Sequence, residues 1–320
     1  MFFSLVDYRN NYFTSDDPNK ILEFYNGFEN RDQLIQWMRE RPKGVANIHE
    51  VEGDKDIIVV IPTADFNGKY AKECGDNIFK GLHIVFVESG EKGDFYFNYA
   101  HNCNVGIRKA MEYNPEWVVV SNDDISSPFD PEVLKTELLK LKNETIHMVL
   151  TKDSIQTSTE MSVCSFTLLG LLIYKFFNVT RLNQFVDKNH EIFHISTKIN
   201  RNFKNRYFIL ADRKNIFNIF IKKLYKYTNF EAFGIFSSLW LRNRQVLFDE
   251  TYINAHEDQD VSILQNKKPT KIAWINYRIK GIGGVSLESN LQRGLRGVSS
   301  DCYFNYKIEN GLLNIIKVST

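Results

Sequence analysis

The sequence predicts an α/β fold in which a parallel sheet is flanked by helices, and three apolar runs are the main observation behind this prediction. The runs lie at residues 57–61, 83–87 and 117–120. A run without polar alternation is typical of a strand that other elements cover on both faces. Helical stretches are predicted between the runs, near 70–80 and 104–113, and a helix over 130–142 leads to a fourth strand over 147–150. This alternation predicts a right-handed parallel sheet.

The segment in front of the first strand, residues 1–56, is predicted to be a helical extension. The polar run 15–17 followed by Pro18 marks a helix start, because a capping side chain and a proline in the first turn both favour one. Apolar residues recur at helical spacing over 32–41, and Pro42 ends that helix.

The composition is that of an ordinary globular protein. Of the 320 residues, 43% are hydrophobic and 25% are charged, which excludes a disordered or low-complexity chain. Lys and Arg total 40 against 39 Asp and Glu, so the formal net charge is +1. A protein that coats nucleic acid carries a strong basic excess, so no nucleic-acid partner is expected. The unusual feature is the aromatic share of 14%, with 25 Phe.

Sequence features that bear on location favour a soluble, cytoplasmic protein. Asp7 follows the N-terminal apolar residues too early for a signal peptide. The longest apolar run, 163–174, is shorter than the ~18 residues that a membrane span needs. The 4 Cys form no C-x-x-C pair and no zinc spacing, so we expect reduced, partly buried thiols. Peripheral contact with the inner face of a membrane is left open.

Polar residues follow each of the first three predicted strands. They are Thr63 and Asp65, then Glu88 and Ser89, then Asn122, Asp123 and Asp124. Ligands of open parallel sheets bind beyond the carboxyl ends of the strands, so we expect these side chains to converge on one edge. No G-x-G-x-x-G follows the first strand and no G-x-x-x-x-G-K-[ST] occurs, which argues against a classical NAD site and a P-loop NTPase. No organic cofactor is expected.

The pair Asp123 and Asp124 is a candidate metal site. Two adjacent carboxylates in a cleft repel each other and are costly to desolvate unless a cation neutralises them. Carboxylate oxygens suit Mg²⁺ or Mn²⁺, and Mg²⁺ often also binds phosphate oxygens. The alternative is a solvated turn, or the cap of the following helix.

A second acidic cluster lies at residues 256–260, His-Glu-Asp-Gln-Asp, after the Phe-Asp-Glu sequence at 248–250. An ionised carboxylate here is a candidate general base for a hydroxyl nucleophile. The alternative is a helix N-terminus that is rich in acid because the helix dipole favours it.

The order of these motifs resembles that of the family 2 glycosyltransferases of the GT-A fold. The matching stretches are 57–63, 85–90, 104–110, 118–125 and 233–261. The resemblance implies a Rossmann-like mixed, mostly parallel sheet flanked by helices, with the helical extension in front and a helical insert. It also implies transfer of a sugar from a UDP-, GDP- or dTDP-sugar to an acceptor hydroxyl, with inversion. The acceptor is expected to be a glycan, a glycolipid or a protein glycan.

The resemblance assigns roles residue by residue. Asp124, with Asp123, matches the acidic motif that binds Mg²⁺ or Mn²⁺, and Asp258 matches the catalytic base. Glu88 takes the place of the carboxylate that recognises base or ribose, and Gly234 leaves room for the donor sugar. The substrate-binding residues are Pro62, Thr63, Asp65, Glu88, Asn104, Arg108, Asp123, Gly234, Glu257, Lys280 and Arg296.

The chain departs from the family pattern in two places. The acidic motif is Asn-Asp-Asp, so one of its side chains is an amide. Many members carry a His after the last core strand, whereas this chain has Tyr-Arg-Ile-Lys-Gly at 277–281. Lys280 or Arg278 is therefore expected to pair with the diphosphate, and metal dependence is in question.

The predicted division of the chain follows from the resemblance. A nucleotide-sugar-binding half covers 57–150, a helical basic and aromatic insert covers 151–230, and an acceptor-binding half with the C-terminal segment covers 231–320. The insert contains a predicted basic amphipathic helix over 216–226. Such a helix can lie on an anionic membrane, which would suit a lipid-linked acceptor, or it can be a core helix with a solvated basic face.

Other functions remain open at this point. The same fold is compatible with a nucleotidyltransferase. A catalytically inactive nucleotide-sugar-binding protein, or a membrane-associated interaction module, is the alternative of a different class.

Overall fold

The fold is seen in a computed structural model, which describes residues 17–89, 96–151, 160–166, 207–211, 224–226, 233–243, 247–253, 255–265, 272–282, 297–300, 302–304, 306–307 and 310–313. The strands are β1 (Asn47–Val51), β2 (Asp54–Thr63), β3 (Leu82–Glu88), β4 (Trp117–Ser121), β5 (Ile125–Ser126), β6 (Met148–Thr151), β7 (Glu160–Phe166), β8 (Tyr207–Ala211), β9 (Leu224–Lys226), β10 (Phe233–Ser237), β11 (Ile272–Ile275) and β12 (Lys280–Gly281). The helices are α1 (Pro18–Asn26), α2 (Arg31–Glu40), α3 (Lys69–Glu73), α4 (Tyr99–Met111), α5 (Pro131–Leu139), α6 (Ser238–Arg242) and α7 (Glu257–Gln265). A π-helical turn (Cys74–Ile78) follows α3.

A seven-stranded mixed sheet forms the centre of the fold, in the order β1-β3-β2-β4-β10-β6-β11. β2 pairs in parallel with both β3 and β4, and β6 pairs in parallel with β11. β10 is antiparallel to both of its neighbours, so β6 keeps the direction of β4. β1 is antiparallel to β3 at the edge. The predicted α/β class with a mostly parallel sheet is confirmed.

Helices cover both faces of the sheet, which explains the apolar runs. Along β2, Ile57, Val59 and Ile61 pack on the face that carries α3, the π-helical turn and α5. Ile58 and Val60 pack on the opposite face, under α4, α6 and α7. Because both faces are buried, these strands have no polar alternation.

The predicted N-terminal extension is not wholly helical. Asp17 caps α1 by accepting from Asn19 N at 2.8 Å, and α2 falls where a helix was predicted. Residues Asn47–Val51, however, form β1, and β2 already begins at Asp54. β1 pairs with β3 along its whole length. This pairing outweighs the weak conformational preference of a polar segment.

The described residues of the predicted helical insert are strands, so that prediction is wrong for them. β7, β8 and β9 form a three-stranded antiparallel sheet with β7 in the middle. The last residues of the predicted amphipathic helix are β9, while residues 216–223 lie outside the described residues. Cross-strand pairing decides the conformation of such short apolar segments, because their periodicity alone is ambiguous.

Two expectations about location have structural counterparts. Cys74, Cys103 and Cys302 are buried and form no disulfide, as predicted for reduced thiols. No helix within the described ranges is both long and apolar enough to cross a membrane.

Gly106 allows α4 to approach the centre of the sheet closely. A Cβ at this position would lie 2.3 Å from Val60 Cγ1 and 2.9 Å from Val87 Cγ2. Both contacts are with short, stiff side chains inside the core, which cannot move aside without loss of packing. Gly106 is therefore required by the packing of α4 on β2 and β3.

We predict that Gly106→Ala lowers the free energy of unfolding by about 1–3 kcal/mol, the usual cost of overpacking a core. The matched control is Gly75→Ala, because a Cβ on Gly75 meets no atom within 4 Å. Urea unfolding of both variants is the measurement. Equal stability of the two variants would contradict the packing argument.

Candidate functional site

The carboxyl ends of the central parallel strands bring the predicted site residues together. The register pairs Thr63 at the end of β2 with Glu88 at the end of β3. The Thr63 hydroxyl donates to Asp123 Oδ2 at 2.7 Å, which links β2 to the loop after β4. Asp65 is exposed just beyond Thr63. The predicted convergence on one edge is confirmed for these four residues.

The loop after β4 is anchored from both faces of the sheet. From α4, the Tyr99 hydroxyl donates to Asn122 Oδ1 at 2.7 Å. From the π-helical turn, the Cys74 thiol donates to the backbone carbonyl of Asp123 at 3.3 Å. Burial raises the pKa of Cys74, and the charges of Asp123, Glu73 and Asp124 raise it further, so the thiol stays protonated as a donor.

The segment that contains β12 contacts the loop after β4 from a third side. β12 pairs with β5 in antiparallel register, with Lys280 opposite Ser126. Ile282 N donates to the backbone carbonyl of Asp124 at 2.7 Å, which extends this pairing. The exposed side chain of Lys280 therefore belongs to a strand that adjoins the acidic motif.

Asp124 is buried and Asp123 is half-buried, and neither forms an ion pair with a cationic side chain of the described residues. Burial raises the pKa of Asp123, the Thr63 hydroxyl opposes this, and the charge of Asp124 raises the pKa again. Asp124 as a whole is 6% exposed, and its carboxylate makes no hydrogen bond or ion pair with any other described residue. This uncompensated charge fits a bound cation.

The described side chains also limit how many protein ligands such a cation could have. Within the described part of the chain, no group of three or more His, Cys, Asp or Glu side chains is placed to hold a metal ion. A cation on Asp123 and Asp124 would therefore complete its shell with water or with oxygens of a bound ligand. Mg²⁺ is commonly bound in this way, through one or two carboxylates and substrate phosphates.

The second acidic motif begins α7. Glu257, Asp258 and Asp260 lie in its first turn, where the helix dipole favours negative charge. His256, directly before the helix, has φ 70°, which is a strained backbone conformation for a residue with a side chain. Its ring stacks on Phe304 with 4.8 Å between centroids. Asp258 is partly buried, whereas Glu257 and Asp260 are buried.

Tyr99 connects the two acidic motifs. Its hydroxyl contacts Asn122 in the first motif, as described above. Burial raises the pKa of Tyr99, Cys103 adds to this, and the charges of Glu257 and Asp258 raise it further. Tyr99 also packs edge-on against Phe248 of the Phe-Asp-Glu sequence, with 6.4 Å between the ring centroids. This tyrosine therefore contacts the first acidic motif and the segment that leads to the second.

Glu88 lies beside an aromatic wall. Its Oε1 accepts from Phe66 N at 2.9 Å, and its Oε2 is 3.1 Å from His49 Nε2. The hydrogen bond from Phe66 lowers the pKa of Glu88, and His49 lowers it further. The rings of His49 and Phe66 stack at 4.4 Å with an interplanar angle of 5°. His49 comes from β1, the strand that sequence reasoning did not predict.

Asn104 is engaged in holding a loop. Its Nδ2 donates to Phe248 O and to Glu250 Oε1, each at 2.9 Å, and its Oδ1 accepts from Phe248 N at 3.1 Å. His101 Nδ1 lies 3.0 Å from Glu250 Oε2. The buried amide of Asn104 thus ties α4 to the Phe-Asp-Glu motif, which differs from the predicted position beside a nucleotide.

Arg108 does not lie at the carboxyl edge. It is in the last turn of α4, about 13 Å along the helix from Tyr99 at 1.5 Å per residue. Its neighbour Lys109 pairs with Glu50, which also pairs with His83 near the start of β3. The prediction that Arg108 contacts the nucleotide is therefore corrected: the direction of α4 carries it to the amino ends of the strands.

The remaining predicted residues are distributed as follows. Pro62 is buried in β2 opposite Val87, and Gly234 is buried in β10 opposite Val120. Arg296 lies outside the described residues.

A buried lysine that the sequence did not reveal holds the Phe-Asp-Glu motif against α7. Lys307 Nζ lies 2.8 Å from Asp249 Oδ2 and also contacts Asp260 Oδ2. The Tyr303 hydroxyl donates to Asp249 Oδ2 at 2.8 Å. No short motif includes Lys307, because its partners are 58 and 47 residues away in the chain.

The charges in this cluster are strongly coupled. Burial would raise the pKa of Asp249, but the Lys307 ammonium more than offsets it and the pKa is lowered. Burial raises the pKa of Asp260, and Lys307 opposes this only in part. Burial would lower the pKa of Lys307, but Asp260 and Asp249 raise it above its usual value.

We predict that Lys307→Met destabilises the protein by about 3–5 kcal/mol near neutral pH, because it leaves the buried carboxylate of Asp260 and the half-buried carboxylate of Asp249 without their cation. The lowered pKa of Asp249 means that its contribution is present above the unfolded-state pKa and is lost as the pH falls. The raised pKa of Lys307 means that its contribution is lost only as the pH rises past the usual lysine range. Urea unfolding at about pH 3, below the unfolded-state pKa of aspartate, and at about pH 7.5 should show the smaller deficit at the lower pH.

The control for this variant is Lys140→Met. Lys140 pairs with Glu137, but its side chain is 62% exposed. Exposed pairs contribute little, so little change is expected. A Lys307→Met deficit that is independent of pH, or no larger than that of the control, would contradict the coupling.

Comparison with protein-family models found no match for the chain, and a search of curated proteins found none either.

Proposed function

We propose that the protein is a glycosyltransferase of the GT-A, family 2 type, which moves a sugar from a nucleotide diphosphate sugar to an acceptor hydroxyl with inversion. The observation that carries the proposal is the link through Tyr99. One hydrogen bond joins it to the Asn-Asp-Asp loop, and its ring packs against Phe248, in the segment that leads to the start of α7. The loop of the candidate cation site and the segment before the candidate base thus share one tyrosine.

The architecture supports the same conclusion. The sheet is mixed and mostly parallel, as the resemblance implies, with β10 running against its neighbours. Polar side chains gather at the carboxyl ends of β2, β3 and β4, where ligands of such sheets bind.

The donor would lie across these strand ends. Glu88 offers carboxylate oxygens to the N–H or O–H groups of a base or ribose, beside the stacked rings of His49 and Phe66. Lys280 is exposed next to the acidic motif and supplies a positive charge for the diphosphate. The residues favour a nucleoside diphosphate, and the choice of uracil, guanine or thymine stays open.

Asp124 and Asp123 would hold Mg²⁺ or Mn²⁺. When bound, such a cation offsets the negative charge that grows on the diphosphate leaving group. Asp123 is oriented for this role by the hydroxyl of Thr63, and its backbone is fixed by Cys74.

Asp258 would act as the general base. Its carboxylate accepts the proton of the acceptor hydroxyl while the acceptor oxygen forms a bond to the anomeric carbon. The bond from that carbon to the diphosphate breaks, and the nucleoside diphosphate leaves with the electron pair. Attack occurs from the face opposite the leaving group, so the configuration inverts and no enzyme nucleophile is needed.

We predict that Asp258→Asn lowers the rate of donor consumption by about 10²–10⁴-fold, the usual contribution of a positioned base. Binding of the nucleoside diphosphate should be unchanged, because the amide keeps the shape of the side chain. The control is Asp76→Asn, an exposed carboxylate on the π-helical turn. Donor consumption and calorimetric binding are the two measurements.

The outcomes separate the candidate functions. Wild-type protein that binds nucleoside diphosphates but consumes no nucleotide sugar with any acceptor would contradict the proposal and favour a binding protein. Full activity in Asp258→Asn would remove that residue from the role of base.

A further inference from the structure

Asn122 is the one amide in the acidic motif, and its orientation is fixed by Tyr99. The two side-chain oxygens lie 2.7 Å apart, the usual length of an O–H···O hydrogen bond. An asparagine side chain has one carbonyl oxygen, which accepts, and one NH₂ group, which donates two hydrogen bonds. Because Oδ1 accepts from Tyr99, the oxygen of Asn122 is directed at α4.

The proton of Tyr99 stays on the hydroxyl at physiological pH. Burial raises the pKa of Tyr99, and Cys103 and the two carboxylates of α7 raise it further. A neutral phenol can donate to the amide oxygen, whereas a phenolate could only repel it. The hydrogen bond from Tyr99 to Asn122 is therefore maintained over the pH range in which the carboxylates of the acidic motifs are ionised.

The loop thus presents two kinds of groups side by side. Asp123 and Asp124 offer oxygens, which accept hydrogen bonds or ligate cations. The oxygen of Asn122 is turned toward Tyr99, so the NH₂ group lies on the other side of the amide and is the group that Asn122 can offer to a ligand. N–H donors bind anionic oxygens and do not ligate metal ions.

We infer that Asn122 recognises an anionic diphosphate oxygen through its side-chain N–H groups and is not a ligand of the cation. This inference rests on the proposed function and adds a residue role to it: the cation is held by Asp123 and Asp124, and the anion is contacted by Asn122. The departure from an all-carboxylate motif is then a division of tasks between neighbouring side chains.

Asn122→Asp tests the inference with two binding measurements of opposite sign. The aspartate can still accept from Tyr99, so the anchor persists, but its N–H groups are replaced by an oxygen. Mn²⁺ alone, measured by electron paramagnetic resonance of the free ion, should bind several-fold more tightly. Inorganic pyrophosphate, measured by calorimetry at saturating Mn²⁺, should bind about tenfold more weakly, since a hydrogen bond to a charged group is lost.

Tyr99→Phe tests the anchor itself. Without the hydroxyl the amide can rotate, so pyrophosphate should bind a few-fold more weakly while Mn²⁺ alone binds as in the wild type. The matched control is Tyr113→Phe, which removes a hydroxyl that donates to Glu50 at 2.7 Å near the opposite edge of the sheet. That control should change neither measurement.

The inference is overturned if Asn122→Asp changes both affinities in the same direction. It is also overturned if Tyr99→Phe weakens the binding of Mn²⁺ alone, or if the wild type binds Mn²⁺ but does not bind pyrophosphate at saturating Mn²⁺. A wild type that binds neither probe contradicts the proposed function as well. If the wild type binds both Mn²⁺ and pyrophosphate but the variants do not behave as predicted, the inference alone fails.

Discussion

Negative charge is concentrated at the carboxyl edge of the sheet, and its compensation determines how this region is built. Asp249 and Asp260 share the buried ammonium of Lys307, which comes from the C-terminal segment. Asp123 receives a hydroxyl donor, and Asp124 has no cation among the described residues. The pair Asp249 and Asp260 is thus neutralised by the protein, whereas the pair Asp123 and Asp124 has no cation among the described residues. We propose that a bound ligand and its cation compensate this second pair.

The same compensation makes both terminal segments part of the site. Lys307 belongs to a helical segment whose Tyr303 and Tyr306 rings lie under the guanidinium of Arg39, at 5.7 and 5.8 Å from their centroids. Tyr25 of α1 accepts from Ser299 N at 3.0 Å. The N-terminal helices therefore hold the C-terminal segment, which in turn holds the start of α7. Residues far apart in sequence determine where the candidate base lies.

Sequence patterns predict the part of this fold that depends on local burial. The runs in β2, β3 and β4 are apolar because both faces of the sheet are covered. These strands can therefore be predicted from the local sequence, without knowledge of the strands they pair with. β1 and the strands of the insert depend on cross-strand pairing, and their local sequences favour no single structure. Thr63 and Asp123 could be placed because strand ends converge. Asn104, Arg108 and Lys307 could not, because their roles depend on the direction of α4 and on contacts across more than forty residues.

The central claim is that the carboxyl edge binds a nucleoside diphosphate together with a divalent cation. Its most direct test is a thermal-shift screen of UDP, GDP and dTDP, each with and without Mn²⁺, on the wild type and on Asp124→Asn. The account predicts that at least one nucleotide raises the melting temperature of the wild type, more so with Mn²⁺, and that the Mn²⁺-dependent part disappears in Asp124→Asn. No shift of the wild type with any nucleotide, or an equal Mn²⁺-dependent shift in the variant, would contradict it.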